Sequence, residues 1–217
     1  MAIPVPDPPP GVPRLGPRAS VPVILVAMAL CGCSINLGSL SSKPENEAPP
    51  TAPAETGVSE AQATTTHGEA LVRSGKTEEA LAEFDKAITL DPHNAEALYN
   101  RGLLYQNEKQ HQLAIDDFTS ANGLTPQRAE PLLARAISYL AVDKIKEAAT
   151  DLDEAVQADP QNAQIWTTRG LAYERLGDKT KAAGSYARAI NIRPRDEAAR
   201  SGFARVGGKP GQSYDTY

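Results

Sequence analysis

Four prolines, Pro92, Pro126, Pro160 and Pro194, stand 34 residues apart, and that interval governs the chain between residues 61 and 196. Self-similarity at a fixed period of roughly 20–50 residues marks an array of stacked units rather than a single globular core. Counting each unit from 61, 95, 129 and 163 brings further places into register. The eighth is Gly68, Gly102, Ala136 and Gly170. The eleventh is Leu71, Tyr105, Tyr139 and Tyr173, and the twentieth is Ala80, Ala114, Ala148 and Ala182. The twenty-fourth is Phe84, Phe118, Leu152 and Tyr186, and the twenty-seventh is Ala87, Ala121, Ala155 and Ala189.

Each unit reads as two antiparallel helices, such as 95–108 and 111–124 in the second. A small residue at the eighth place lets the first helix approach the Ala at the twentieth, and the residue at the twenty-fourth fills the space beside that contact. Proline closes the second helix because it lacks an N–H and clashes with the preceding turn. This pattern resembles the tetratricopeptide repeat (TPR). The resemblance implies an all-α solenoid of four helix-turn-helix repeats, 61–94, 95–128, 129–162 and 163–196. A single repeat cannot bury its own apolar face, so the stack shares one core and needs capped ends. Ala199, Phe203 and Val206 share one face of a further stretch, 197–206, which reads as the capping helix. The tail, 207–217, reads as disordered, with Tyr214 and Tyr217 as its only aromatic residues.

The N-terminal third has a different character. Residues 1–20 carry seven prolines, and Val21–Leu30 is a short apolar run. Arg14 and Arg18 precede it and small residues follow it, which is the layout of a secretory signal. The run is too short to span a bilayer, which takes about 20 apolar residues. The long segment ahead of it is also what a start codon near Val12 would leave. The chain's two cysteines follow directly, in Leu30-Cys31-Gly32-Cys33-Ser34. They have no second pair to complete a zinc site, no Cys-x-x-Cys spacing for redox work, and too little separation for a relaxed disulfide. The stretch resembles a bacterial lipobox with Leu at −3, Gly at −1 and Cys33 at +1. An ordinary secretory signal is the alternative. The resemblance implies diacylglyceryl attachment to Cys33, cleavage after residue 32, and acylation of the new amine. Several acyl chains make a stable anchor where one is marginal. Ser34 beside the lipidated cysteine points to the outer rather than the inner membrane. Residues 33–60, with four prolines and no apolar period, read as a tether on the order of 30 Å in r.m.s. span.

No catalytic constellation stands out. The three histidines, His67, His93 and His111, have no partner at metal-ligand spacing, and paired carboxylates such as Glu78-Glu79 fall on helix faces turned to solvent. There is no strand to carry a phosphate loop. The chain reads as a non-enzyme with neither cofactor nor small-molecule substrate. A formal net charge of −5, a pI near 5.3 and the lack of an evident basic stripe argue against nucleic acid.

What remains is binding. In TPR proteins the first helices of successive repeats line a concave groove, and the matching places here are Tyr99, Leu103, Gln106, Leu133, Ile137, Leu140, Thr167 and Leu171. Chaperone-binding TPR domains clamp a C-terminal carboxylate. Of the corresponding residues here, Thr65, Glu69, Asn100, Glu130 and Ala134, only Asn100 agrees with that pattern. An apolar groove suits a helix or extended segment of another protein, and a homodimer would use the same face. Arg101, Arg135 and Arg169, at the seventh place, are expected to pair with Asp116, Asp117 or Asp151, contributing about 0–1 kcal/mol if exposed. Two kinds of envelope TPR lipoprotein resemble the whole layout: adaptors for peptidoglycan hydrolases and assembly lipoproteins of tight-adherence pili.

Overall fold

The computed structural model describes residues 53–211, 213 and 214, with side chains from residue 57. The signal, Cys33 and most of the tether lie outside the described residues. Within them, nine helices follow one another: α1 (Pro53–Arg73), α2 (Thr77–Leu90), α3 (Ala95–Asn107), α4 (His111–Leu124), α5 (Ala129–Ala141), α6 (Ile145–Ala158), α7 (Ala163–Leu176), α8 (Lys179–Ile192) and α9 (Glu197–Arg205). They pair as α1/α2, α3/α4, α5/α6 and α7/α8, with α9 closing the stack against α8.

The period recurs in the turns. Inside each repeat one residue takes a left-handed backbone, and the four are 34 residues apart: Gly75 (φ 78°), Lys109 (62°), Asp143 (62°) and Gly177 (82°). The next N–H reaches back to the first helix, as in Gln110 N to Tyr105 O (2.8 Å) and Asp178 N to Tyr173 O (2.9 Å). This closure satisfies carbonyls that a helix C-terminus otherwise orphans. Between repeats the proline is the second residue of a tight turn, closed by Asn94 N to Asp91 O (3.1 Å) and Asp196 N to Arg193 O (3.0 Å). Its fixed φ suits that position. Asn94, Asn162 and Asp196 then cap the next helix by accepting from Ala97, Gln164 and Ala199 N–H groups.

At the small eighth place the nearest neighbour is the ring at the twenty-fourth. A Cβ on Gly68, Gly102 or Gly170 would fall 2.7, 2.7 or 2.6 Å from the ring of Phe84, Phe118 or Tyr186. The third repeat carries Ala136 and, opposite it, the smaller Leu152, both fully buried. The two places therefore trade volume within one chain. Tyr186 is held from both sides, since Gly202 of α9 packs on the same ring. Its hydroxyl donates to Glu174 Oε2 (2.7 Å), and Arg205 of α9 donates twice to that carboxylate.

The seventh-place arginines form a ladder rather than exposed pairs. Arg101 makes two bonds to Asp117 (2.8 and 2.7 Å) and one to Asp85 of the preceding repeat (2.7 Å). Arg135 repeats this with Asp151 (2.7 and 2.8 Å) and Thr119 (3.1 Å). Arg169 takes Asp153 (2.7 Å) and Ser185 (2.8 Å). Each guanidinium also lies within 6 Å of the tyrosine at the eleventh place. Asp117 and Asp151 side chains are only 8 % exposed, so these pairs are buried joints between the two helices of one repeat, and the bonds to Asp85, Thr119 and Asp153 carry the ladder across to the preceding repeat. Bonding to Asp117 and to Asp151 pushes the pKa values of Arg101 and Arg135 up. In the first repeat His67 takes the arginine's place, 3.3 Å from Glu83.

Two boundaries differ from expectation. Helix α1 starts at Pro53, so residues 53–60 form its first two turns rather than the end of a tether. Proline is tolerated at a first helical position, and this stretch is tied down by Glu60 against Lys86 (3.4 Å). In the tail, Tyr214 packs edge-on to Phe203 with centroids 5.8 Å apart, so its described part lies on the cap.

Candidate functional site

Helices α3, α5 and α7 stand side by side, and the groove-facing places of α3 and α5 meet in a cavity of about 290 Å³. Tyr99, Leu103, Gln106, Leu133 and Ile137 line it, all half-buried. The sequence pattern therefore assembles five of its eight groove residues at one place. The other three go elsewhere. Leu140 is 8 % exposed and belongs to the core, against the expectation that it faces the groove. Leu171 is 40 % exposed and stands outside the cavity. The Thr167 hydroxyl is committed to Asp196 Oδ2 (3.0 Å) and Ala163 O (2.9 Å).

Thr167 explains why the cavity lies in the middle of the array. At the fifth place, Thr65 accepts from Asn94 Nδ2 (2.9 Å), and Thr167 donates to Asp196. Each of these bonds ties one repeat to the helix cap of the next. The two middle repeats carry Tyr99 and Leu133 there instead. That polar tie is gone, and its space is lined by apolar side chains. Tyr99 rests on Phe118, with ring centroids 5.8 Å apart and tilted by 49°. Burial pushes its phenol pKa up, and the Glu130 charge adds to the effect. Gln106 spends its amide on Ala134 O (2.8 Å) and Ser138 Oγ (2.7 Å), so it joins α3 to α5 as well as lining the site.

The polar rim is Glu130, which the sequence placed at a clamp position, together with Asn162 and Gln164, which sequence reasoning missed. A second hollow of about 290 Å³ shares Ala129, Glu130 and Asn162 with it and adds Arg128 and Asp159. A backbone N–H holds the Glu130 carboxyl below the usual range, with help from Arg128. The rim thus places one carboxylate, Glu130, and two neutral amides next to an apolar floor. The 34-residue period marks these places too, because they are the caps and second residues of successive repeats. Asn100, the residue that matched the carboxylate clamp, gives its amide to Glu69 Oε1 (3.0 Å).

Comparisons with known proteins agree with this geometry. The family model of the TPR repeat matches residues 68–109, and two tetratricopeptide-repeat models match 95–128 and 133–199. No curated protein matches by sequence. Among solved structures, a crystal structure of MamA is 23 % identical, with a TM-score of 0.62 over 64 % of this chain and 81 % of that one. YrrB, described as a TPR protein with an unusual peptide-binding site, is 20 % identical with a TM-score of 0.63, over 70 % and 81 %. Pseudomonas aeruginosa pilF is 22 % identical with a TM-score of 0.62, over 69 % of each chain. At such identities these structures speak for the fold alone. The three family models together span more than half of the sequence, the match over 95–128 coincides with the second 34-residue unit, and the chain carries tetratricopeptide repeats.

Proposed function

We propose that this protein is a lipid-anchored, non-enzymatic scaffold of the bacterial envelope that recruits a partner protein through the α3/α5 groove. The observation that carries the reading is the loss of the Thr–cap tie in the two middle repeats alone. There Tyr99, Leu103, Leu133 and Ile137 line an open cavity next to the Glu130 carboxylate. An apolar floor with a few fixed polar groups is how proteins hold a side chain of a helix or extended segment. That YrrB is described as having a peptide-binding site supports the same use of the fold. The anchor rests on Leu30-Cys31-Gly32-Cys33, and Ser34 favours the outer membrane. The partner belongs to a peptidoglycan-hydrolase or a pilus-assembly system, the two settings whose lipoproteins share this layout.

Two experiments test the proposal. In the host, Leu103→Glu with Ile137→Glu removes the co-purifying partner that wild type captures, while far-ultraviolet circular dichroism is unchanged. Capture of the same protein by the folded variant refutes the groove. Cys33→Ser releases the protein from the membrane fraction and abolishes labelling by radioactive palmitate, and an unchanged distribution refutes the anchor.

A further inference from the structure

A separate cavity, about 540 Å³, lies at the C-terminal end of the array between α8, α9 and the tail. The repeat register explains its position. Phe203 falls at the seventh place, where the preceding repeats carry the ladder residues Arg101, Arg135 and Arg169. Ala187 falls where Asp85, Thr119 and Asp153 receive those arginines. Arg200 stands at the place of the buried Leu98, Leu132 and Trp166. The polar rung is therefore replaced by an apolar one, and a cation occupies a former core position at its edge. No second helix follows α9 among the described residues. The tail runs there instead, pinned by Lys209 N donating to Tyr214 Oη (2.7 Å) and by the edge-on contact of Phe203 with Tyr214.

The charge around this cavity is one-sided. Residues 163–211 carry ten Lys and Arg against four Asp and Glu, whereas 57–162 carry nine against eighteen. The net value for the whole chain conceals this segregation. Among the described residues, Arg200 and Lys209 line the cavity, no carboxylate does, and neither cation has an ion-pair partner. Arg193 and Arg195 lie just ahead of α9. Ile190 and Phe203 are half-buried within the cavity rather than projecting outward, which suits an inserted side chain better than a bilayer surface.

We propose that this cavity is a second docking site, independent of the groove, for an acidic amphipathic segment of a partner protein. An apolar side chain seats between Ile190 and Phe203, and a neighbouring carboxylate bonds Arg200 and Lys209. Such a site lets the scaffold hold one protein in its groove and another at its end.

The test uses the full chain and a short fluorescein-labelled peptide with Asp and Glu on one helical face and Leu and Phe on the other. A Lys-for-acid counterpart and phosphatidylglycerol vesicles are the comparison probes. Fluorescence anisotropy should show the acidic peptide bound and the basic one not. Arg200→Glu with Lys209→Glu should weaken binding roughly tenfold or more, as expected for losing and reversing two ion pairs. Ala187→Phe, which fills the cavity without touching a charge, should weaken it as well. Leu103→Glu with Ile137→Glu should leave it unchanged, which separates this site from the groove. Circular dichroism verifies that each variant is folded. Equal affinity for wild type and the double Glu variant overturns the proposal, as does loss of binding in the groove variant. Vesicle binding without peptide binding overturns it in favour of a lipid contact.

Discussion

The trade of volume between the eighth and twenty-fourth places can be tested with a double-mutant cycle at Gly102 and Phe118. On a free helix Gly→Ala is stabilising by about 1 kcal/mol. Here the new methyl would stand 2.7 Å from Phe118 Cε1 and 2.9 Å from Cδ1, and the ring is fully buried and cannot swing aside. Overpacking of this sort costs about 1–3 kcal/mol, so Gly102→Ala should destabilise by about 0–2 kcal/mol net. Phe118→Leu alone should also destabilise, by about 1–2 kcal/mol, because it leaves a void beside the glycine. Together the two substitutions recreate the Ala136–Leu152 pair of the third repeat. The double variant should then be more stable than the sum of the singles by about 1–3 kcal/mol, within the range seen for residues in contact. Urea denaturation of the four proteins, followed by circular dichroism at matched slope, measures this coupling. Additivity to within about 0.5 kcal/mol would refute the reasoning.

Further outcomes follow from the turns, the ladder and the cap. Lys109 holds a left-handed backbone that costs a side-chain-bearing residue about 1–2 kcal/mol. Lys109→Gly should therefore raise stability by about 0.5–1 kcal/mol after glycine's greater chain entropy is counted, and a lower melting temperature would contradict this. Arg135→Ala leaves the buried Asp151 carboxylate without its two bonds and should cost about 2–4 kcal/mol, well above an exposed pair. Replacing both residues by apolar ones of similar size should recover most of that loss in the same denaturation assay. Glu174 is held below its ordinary pKa, chiefly by bonding to Arg205. A lowered carboxylate stabilises the fold above its unfolded value of about 4.5, and the gain is lost as pH falls through the lowered folded value. Amide exchange in α9 should accordingly quicken below about pH 4.5, and Glu174→Gln should flatten that dependence. Unchanged acid sensitivity in the variant would remove the cap from this account.

How much of this was legible in the sequence depended on what the repeat could encode. Helix ends, the register and the capping helix all followed from prolines and small residues, because backbone geometry requires those residue types at fixed intervals. The groove followed only in part. Place within a repeat says which face a residue occupies, but not what its neighbours in adjacent repeats do with it. Leu140 is drawn into the core shared with α6 and α7, while Leu171 stands in the last full repeat and remains outside the cavity. Thr167 looked available, yet its hydroxyl is engaged by the cap of α9. The arginine ladder was half visible. Its carboxylate partners could be named from the sequence, but their burial could not, and burial turns an ion pair of small effect into a structural joint. The start of α1 was hidden because residues 53–60 show no apolar period, and the basic C-terminal end was hidden because charge was summed over the entire chain.

The central claim is that a partner's side chain enters the α3/α5 cavity. A photo-crosslinking residue placed in the host protein at Leu103 or Ile137, and separately at the exposed Thr150 of α6, tests it most directly. The account predicts one discrete adduct of the same mass from both groove positions and none from Thr150. An adduct from Thr150 with silence at Leu103 and Ile137 would contradict it and move the binding surface to the second helices of the repeats.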